Sequence, residues 1–376
     1  MTDPARLTGA VLTIDLEAIV ANWRRLRDES GSVHVAAVVK ADAYGLGVAH
    51  VVPALHAAGC RHFFVAHLIE ALEVVDILPR GSFVAVLSGL NPGAESACAA
   101  AGVIPVLNSL GQARRWIAQA RIDNRRLPAI LQVDSGMSRL GLPPHEAAEL
   151  AADQELPDHL SILAVMSHLA CADEPGAPAN LAQAEAFGQL ADLFPGVPRS
   201  LANSGGCLLG ERFAGDIARP GIALYGGDPA TGDHAPFAPV VRLEAAVIQM
   251  REIPAGTGVG YGMTWHAPVP TRLATIGVGY ADGWLRSLSG QGAAWFGEVR
   301  LPIVGRVSMD SIIVDISALP EGALAEGDMV ELIGPHQTID DVAHAAGTIS
   351  YEILTSLGQR YHRVYRPAAA QQELAA

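Results

Sequence analysis

The sequence predicts an α/β protein: a (β/α)8 TIM-like barrel followed by a C-terminal, mainly antiparallel β domain. Three observations predict it. Over residues 15–232 short apolar runs alternate with amphipathic stretches, the rhythm of parallel strands each followed by a helix. From Val240 to Ile333 that rhythm stops. β-Branched and apolar runs punctuated by Gly and Pro replace it, as in antiparallel β structure. Finally, half of the 376 residues are hydrophobic and 17% are charged. That suffices for the cores of two domains and excludes a mostly disordered chain.

The elements follow in order. Asp15 is placed to cap a first helix whose Leu16, Ile19, Val20, Trp23 and Leu26 share one face at the 3.6-residue period. Eight strands are predicted at 33–39, 63–66, 83–87, 104–107, 129–133, 162–166, 199–202 and 217–218. Helical stretches such as 109–120, 144–152 and 180–193 separate them. A polar, Pro-containing connector, DPATGDHAPFAP (228–239), ends the barrel domain, set at 15–232. The β domain takes 233–376 together with 1–14, whose run 10–14 returns to it as an extra strand. Two short helices, 338–346 and 351–358, close that domain, and 367–376 is expected to fray.

Several function classes are excluded at this level. A net charge of −14 argues against sequence-independent binding of nucleic-acid backbones. No apolar run reaches the roughly 18 residues of a membrane span. The N-terminus has no apolar segment behind a basic start, so a cytoplasmic protein is expected. Four cysteines without a C-x-x-C pair suit a reduced compartment, with no disulfide frame or structural zinc. The thirteen histidines show no H-E-x-x-H or comparable spacing, so no metal is predicted.

One count points to chemistry. Lys and Arg total 25, and Lys40 is the single lysine. Surface cations here have drifted to arginine, so a site needing only positive charge would carry arginine too. A lone lysine suggests a site that needs an amine, which can lose its proton or form a Schiff base where a guanidinium cannot. The alternative is a chance survivor of the drift. Working residues of such barrels sit at the C-terminal strand ends. There the sequence places Lys40, Asn108, Asp134, His168, Asn203–Ser204 and Arg219. Some of these are ordinary caps, Asn108 above all. The seventh strand ends in NSGG (203–206) and the eighth is followed by RPGI (219–222). Phosphate is often held by the loops in these places. Gly205, Gly206 and Gly221 would let amides approach an anion, and Ser204 adds a hydroxyl. A Schiff-base lysine with one phosphate site points to pyridoxal phosphate.

The segment VVKADAYG (38–45) resembles the cofactor-lysine signature of the alanine racemases. So, in the family's order, do DSGMSRLG (134–141), MSHLA (166–170), NSGG, RPGIALYG (219–226), GVGYGMTW (258–265), GYADGWLR (279–286), GRVSMD (305–310) and TISYE (348–352). The resemblance covers roughly residues 10–363. It implies a pyridoxal phosphate enzyme interconverting L- and D-alanine, a barrel plus β domain, and a head-to-tail homodimer. Each active site would be finished by the partner's β domain. By position, it implies that Lys40 holds the cofactor and acts as base on one face, and that Tyr261 from the partner is the base on the other. The lysine's pKa must then fall from about 10.4. His168 would stack on the cofactor ring and Arg219 would face the pyridine nitrogen. Tyr44, Ser204, Ile222 and Tyr351 would hold the phosphate, with Asn203 and Gly221 beside them. Arg139 and the Met309 amide would bind the substrate carboxylate. Tyr280, Arg286, Arg306 and Asp310 would line the entrance.

The chain also departs from the family. Many members carry a carbamylated lysine where Gln132 stands, and a neutral amide can accept from Arg139 only more weakly. An added anion, such as chloride, is one candidate to fill that gap. Leu46 replaces a usual histidine, and QRYHRVYR (359–366) replaces a Pro-containing run. Competing functions are a broad-specificity or serine racemase, a decarboxylase of the same architecture, and a non-catalytic cofactor-binding barrel. Arg219 argues against the decarboxylase, which would be expected to place an acid there. The β domain carrying Tyr261 argues against the single barrel.

Overall fold

The computed structural model describes residues 7–368. They form two compact units, Ile19–Ala238 and 7–18 with Pro239–Pro367.

In the first unit the strands Ala37–Val38, His62–Val65, Phe83–Val86, Ile104–Leu107, Leu127–Gln132, Leu160–Met166 and Arg199–Ser200 form one parallel sheet in sequence order. They read as near-continuous apolar runs because a parallel sheet of this kind is covered on both faces. The run Ile104–Leu107 is buried at every position. The eighth strand, Ile217–Ala218, pairs in parallel with His34–Val35, just before the first strand of the sheet. Backbone bonds from Asp216 N to Arg199 O (2.7 Å) and from Arg219 N to Ala202 O (2.9 Å) tie it to the seventh. The TIM-like ring is therefore closed by single bonds at this point, not by a continuous ladder. The last two strands are shorter than or as short as the sequence suggested, with two residues each. Pro220 follows the eighth at once and cannot extend the ladder.

The helices obey ordinary capping rules. Ser109 accepts from Gln112 N and starts the helix Leu110–Asp123, and Asn124 ends it in the left-handed region. That helix buries Ala113, Trp116, Ile117 and Ala120. Trp116 Nε1 donates to Pro128 O at 3.0 Å, docking the helix on the strand Leu127–Gln132.

The second unit is an eight-stranded sheet. Its path runs Val299–Pro302, Ala293–Phe296, Met329–Ile333, Val241–Ile253, Ala10–Asp15, His362–Arg366, and Thr271–Ile276 joins Val241–Ile253 to Ile312–Asp315. Only the Ala10–Asp15 and His362–Arg366 pair is parallel. The early run does return as a strand, antiparallel to Val241–Ile253. It alternates buried Ala10, Leu12 and Ile14 with half-buried neighbours, the period of a sheet with one covered face. A register shift between Val247 and Gln249 divides the long strand. Its first half pairs with Ala10–Asp15 and its second with Thr271–Ile276. The closing helices are Ile339–Ala346, capped by Thr338, and Ser350–Ser356. The second ends earlier than expected because Leu357 leaves helical geometry and Gly358 N turns to donate to Asp282 O. Of the tail expected to fray, 369–376 lie outside the described residues. Among the described residues no helix is long and apolar enough to cross a membrane.

Candidate active site

Because the barrel strands are parallel, the residues that end them share one rim. Lys40 follows the first strand directly. After it the chain makes a turn of left-handed helix, with Ala41, Asp42, Ala43 and Tyr44 at φ 54°, 54°, 55° and 57°. For L residues that geometry costs roughly 1–2 kcal/mol each, so the surroundings must hold it. Glu70 Oε1 accepts from Ala41 N at 2.7 Å. Asp42 Oδ1 accepts from Val48 N at 2.7 Å. The Tyr44 ring stacks on Tyr225 with centroids 4.6 Å apart, and Tyr225 Oη donates to Val38 O at 2.9 Å. Nothing in the sequence marks this turn, since none of its four residues is glycine.

The electrostatics around Lys40 are cationic. Its pKa is lowered, first by burial and then by the Arg139 guanidinium, while Glu70 opposes. His168 is pushed down to about 3 by burial, then by Arg219, Arg139 and Lys40. It is therefore a neutral imidazole at pH 7. Arg219 is buried. It donates from Nη2 to Ser167 O at 2.6 Å and from Nη1 to the Ser200 hydroxyl. Among the described residues no carboxylate pairs with it. Burial lowers its pKa to about 10, which leaves it a cation at neutral pH. Ser167 Oγ in turn meets Ser135 Oγ at 2.7 Å. Arg139 sits in the loop after Gln132, exposed to solvent. Asp134 Oδ1 closes that loop by accepting from the amides of Gly136, Met137 and Ser138 at 2.9–3.1 Å. Among the described residues no hydrogen bond joins Gln132 to Arg139.

The glycine-rich loops divide in role. Ser204 Oγ accepts from Gly221 N at 2.8 Å and Ala223 N at 3.3 Å, gathering the two loops. A Cβ on Gly221 would lie 2.1 Å from Tyr44 Oη, so glycine there is what lets the phenol reach over this loop. Gly205 answers a packing demand, and Gly206 has a partner for its amide within its own turn. A Cβ on Gly205 would strike Ala172 O at 2.5 Å, and Gly206 N already donates to Asn203 Oδ1 at 2.9 Å. Asn203 caps its own turn, and Ile222 opens the short 3-10 turn Ile222–Tyr225 beside it.

In the β unit the predicted residues lie on exposed turns. Tyr261 is 71% exposed, Met309 53% and Tyr280 43%, large apolar side chains left facing solvent. Tyr261 begins the turn Tyr261–Met263, and a Cβ on Gly262 would meet Arg306 Nη1 at 3.1 Å. Tyr280 N donates to Ser308 O at 3.0 Å and Ala281 N to Met309 O at 2.9 Å, so these two loops are joined through their backbones. A residue unmarked in the sequence reading locks them. Arg360 donates from Nε and Nη2 to both oxygens of the buried Asp282, at 2.7 and 2.9 Å, and from Nη1 to Asp310 at 2.7 Å. Tyr351 lies on the helix Ser350–Ser356 of this same unit. Glu70, Asp282 and Arg360 are the supporting residues that sequence reasoning missed. Glu70 carried only the weak signal of a carboxylate four residues after the predicted end of a strand, as many helix-capping acids do.

The chain's single lysine thus follows a barrel strand, in one electrostatic cluster with a neutral imidazole and a buried guanidinium that has no carboxylate partner among the described residues. Comparison with known proteins narrows the class. The model of the alanine racemase N-terminal domain matches residues 14–229, and that of the C-terminal domain matches 240–365. A catabolic alanine racemase of Rhizobium johnstonii is 56% identical over 355 residues, 94% of each chain. An alanine racemase of Brucella canis is 51% identical over 370 residues, covering 95% of this chain and 93% of that one. The solved structure of alanine racemase from Bartonella henselae with covalently bound pyridoxal phosphate is similar at a TM-score of 0.92 and 46% identity. The match covers 95% of this chain and 99% of that one. The chain belongs to the alanine racemase family.

Proposed function

We propose that this chain interconverts L-alanine and D-alanine with pyridoxal phosphate as cofactor, in a site completed by the β unit of a second copy. The observation that carries this reading is the placement of the single lysine. Lys40 stands at the strand-end rim with its amine depressed by burial and by Arg139, in the same electrostatic cluster as His168 and the unpaired cation Arg219.

The residues present fit the cofactor. The Gly221 cradle admits the Tyr44 hydroxyl, and Ser204 organises the loop below it. Tyr44, Asn203, Ser204, Gly221 and Ile222 would hold the phosphate. His168 would flank the ring, and Arg219 would face the pyridine nitrogen with a proton it keeps. When bound, the cofactor supplies an electron sink that acidifies the substrate's α-proton.

The chain's own residues do the rest. Lys40 Nζ, with a pKa below the ordinary lysine range, takes or returns the α-proton on one face. Tyr261 Oη does so on the opposite face. Two bases on opposite faces are what inversion of a carbon centre requires. Arg139 and the amide of Met309 grip the substrate carboxylate, and Tyr280 narrows the entrance. The exposure of Tyr261, Tyr280 and Met309 supports a surface that is covered by a second copy. Relatives named as catabolic are 55–56% identical, whereas a structure named as a biosynthetic alanine racemase is 36% identical. That contrast favours a role in consuming D-alanine over supplying it to peptidoglycan.

Proton NMR of L-alanine with cofactor-loaded protein in deuterated water, followed by chiral analysis, tests the proposal. Loss of the α-proton signal with appearance of D-alanine is expected. No exchange from fully loaded protein overturns it, and the same test on serine and lysine then separates the other candidate substrates.

A further inference from the structure

The left-handed turn after Lys40 needs an anchor, and the structure shows one that serves two elements at once. The Glu70 carboxylate lies in the first turn of the helix Leu68–Ile77. Its Oε2 accepts from Ala66 N at 2.7 Å and His67 N at 2.9 Å, closing the N-terminus of its own helix. Carboxylates commonly do that much. Its other oxygen, Oε1, leaves the helix and accepts from Ala41 N at 2.7 Å. Ala41 is the residue after Lys40 and the first of the four left-handed residues. One carboxylate thus joins the end of the second barrel strand to the backbone that aims the lysine. Helix capping alone would use one side of the group.

We propose that Glu70 is a positioning residue for Lys40: its carboxylate pins the amide of Ala41 to the second strand end and so fixes where the lysine amine emerges. The proposal rests on Lys40 being the cofactor-bearing residue. Glu70 also sets the amine's charge balance. The groups acting on Lys40 are Arg139, which with burial pushes its pKa down, and Glu70, which pushes it up. Lys40 and the cations Arg139 and Arg219 all act on His168, which stays neutral. Glu70 is therefore the acid named among these groups, and removing its charge leaves the amine with less to hold its proton.

The test compares wild type with Glu70→Gln and Glu70→Asp. Glutamine keeps one carbonyl acceptor but turns an NH2 toward a backbone amide. Aspartate keeps the charge but is too short to span both sets of amides. Two readouts are used. The first is the fraction of Lys40 trapped as a reduced cofactor adduct after titrating apoprotein with pyridoxal phosphate and borohydride, read by mass spectrometry. The second is the pH midpoint of the apoprotein amine's reaction with a small acylating reagent. In Glu70→Gln the half-saturating cofactor concentration should rise at least about tenfold and the pH midpoint should move down. In Glu70→Asp adduct formation should weaken while the midpoint stays near that of wild type. If adduct titration and pH midpoint in both variants match wild type, the proposal is overturned, even where thermal stability falls, since Glu70 is then a helix cap only. If wild type itself forms no adduct on Lys40, the functional reading fails instead.

Discussion

Replacing Gly221 by Ala is a one-carbon probe of the proposed phosphate cradle. Gly221 has φ −125°, outside the left-handed region, so the quantity worked here is the contact its added carbon would make. The new Cβ would stand 2.1 Å from Tyr44 Oη and 3.0 Å from its Cζ, against about 3.4 Å for an ordinary contact. The phenol must retreat by roughly 1.3 Å, the difference between 3.4 and 2.1 Å. It has little room to do so. Tyr44 is 4% exposed and its ring is stacked on Tyr225 at 4.6 Å. Overpacking of this kind costs about 1–3 kcal/mol of stability. Displacing a hydroxyl that bonds a charged ligand group costs about 1.5–3 kcal/mol of binding, or roughly 10- to 150-fold in Kd. Titration of apoprotein with pyridoxal phosphate, followed by absorbance, measures the second quantity, and urea unfolding the first. Tyr44→Phe separates them, because it removes the hydroxyl without adding a clash. It should weaken cofactor binding while leaving stability within about 1 kcal/mol. The double variant, which lacks the 2.1 Å contact atom, should recover part of the stability that Gly221→Ala loses. Wild-type cofactor affinity in both Gly221→Ala and Tyr44→Phe would refute the cradle.

Four further outcomes are expected. Lys40→Arg should fold normally yet show no borohydride-trapped cofactor, because a guanidinium forms no Schiff base; mass spectrometry reads this directly. Tyr261→Phe should keep cofactor binding and α-proton exchange on the Lys40 face, but lose racemisation by about 10²-fold or more; deuterium incorporation without inversion is the signature. Arg360→Ala leaves the buried Asp282 with only the Gly279 amide of its three N–H donors. Breaking a buried pair costs about 3–5 kcal/mol, and half-exposure of the Arg360 side chain, at 52%, reduces that to about 2–3 kcal/mol by urea unfolding. Below pH 6.5 the apoprotein should lose stability as pH falls. The folded state holds His168 at about 3 and His62 at about 4, so the unfolded chain takes up protons first. Each contributes about 1.4 kcal/mol per pH unit between roughly pH 6 and 5. His168→Asn should remove that share of the slope, and an unchanged slope would count against the buried neutral imidazole.

The barrel was legible because its signals are local. Apolar runs such as 104–107 and helices such as Leu110–Asp123 declare themselves through period and caps, and the strand ends follow from topology. Lys40 stood out by composition alone. The supporting residues were not legible for the opposite reason. Arg360 locks Asp282 from 78 positions away, and nothing in QRYHRVYR marks one arginine as the anchor. Glu70 spans 29 residues to Ala41 while looking, in sequence, like any acid in the first turn of a helix. Left-handed backbone at Ala41–Tyr44 had no glycine to announce it. The NSGG glycines were ambiguous. Glycine after a strand signals an anion or close packing, and at Gly205 the neighbouring Ala172 carbonyl already requires glycine for packing.

Drift of the cations to arginine sharpens the chemical argument. In most chains a lysine at a strand end competes with many others for attention, and its amine could be doing only what any cation does. Here each other basic position has settled on a group that cannot shed its proton. The site contains both kinds side by side. Arg139 and Arg219 are permanent cations; burial and their fields hold His168 neutral, and burial together with Arg139 biases Lys40 toward its neutral form. With pyridoxal phosphate bound as proposed, Arg219 would face the pyridine nitrogen and would withhold a proton that a carboxylate partner would help to supply. The electron sink would then be weaker, which would favour quick return of the α-proton over side chemistry. The same guanidinium is buried with no carboxylate partner among the described residues, which is costly. Its polar partners, the Ser167 carbonyl and the Ser200 hydroxyl, aim the group while leaving its charge uncancelled. The arrangement gives up stability to keep a cation fixed and unneutralised, which is what a ring-facing arginine requires and a purely structural one does not.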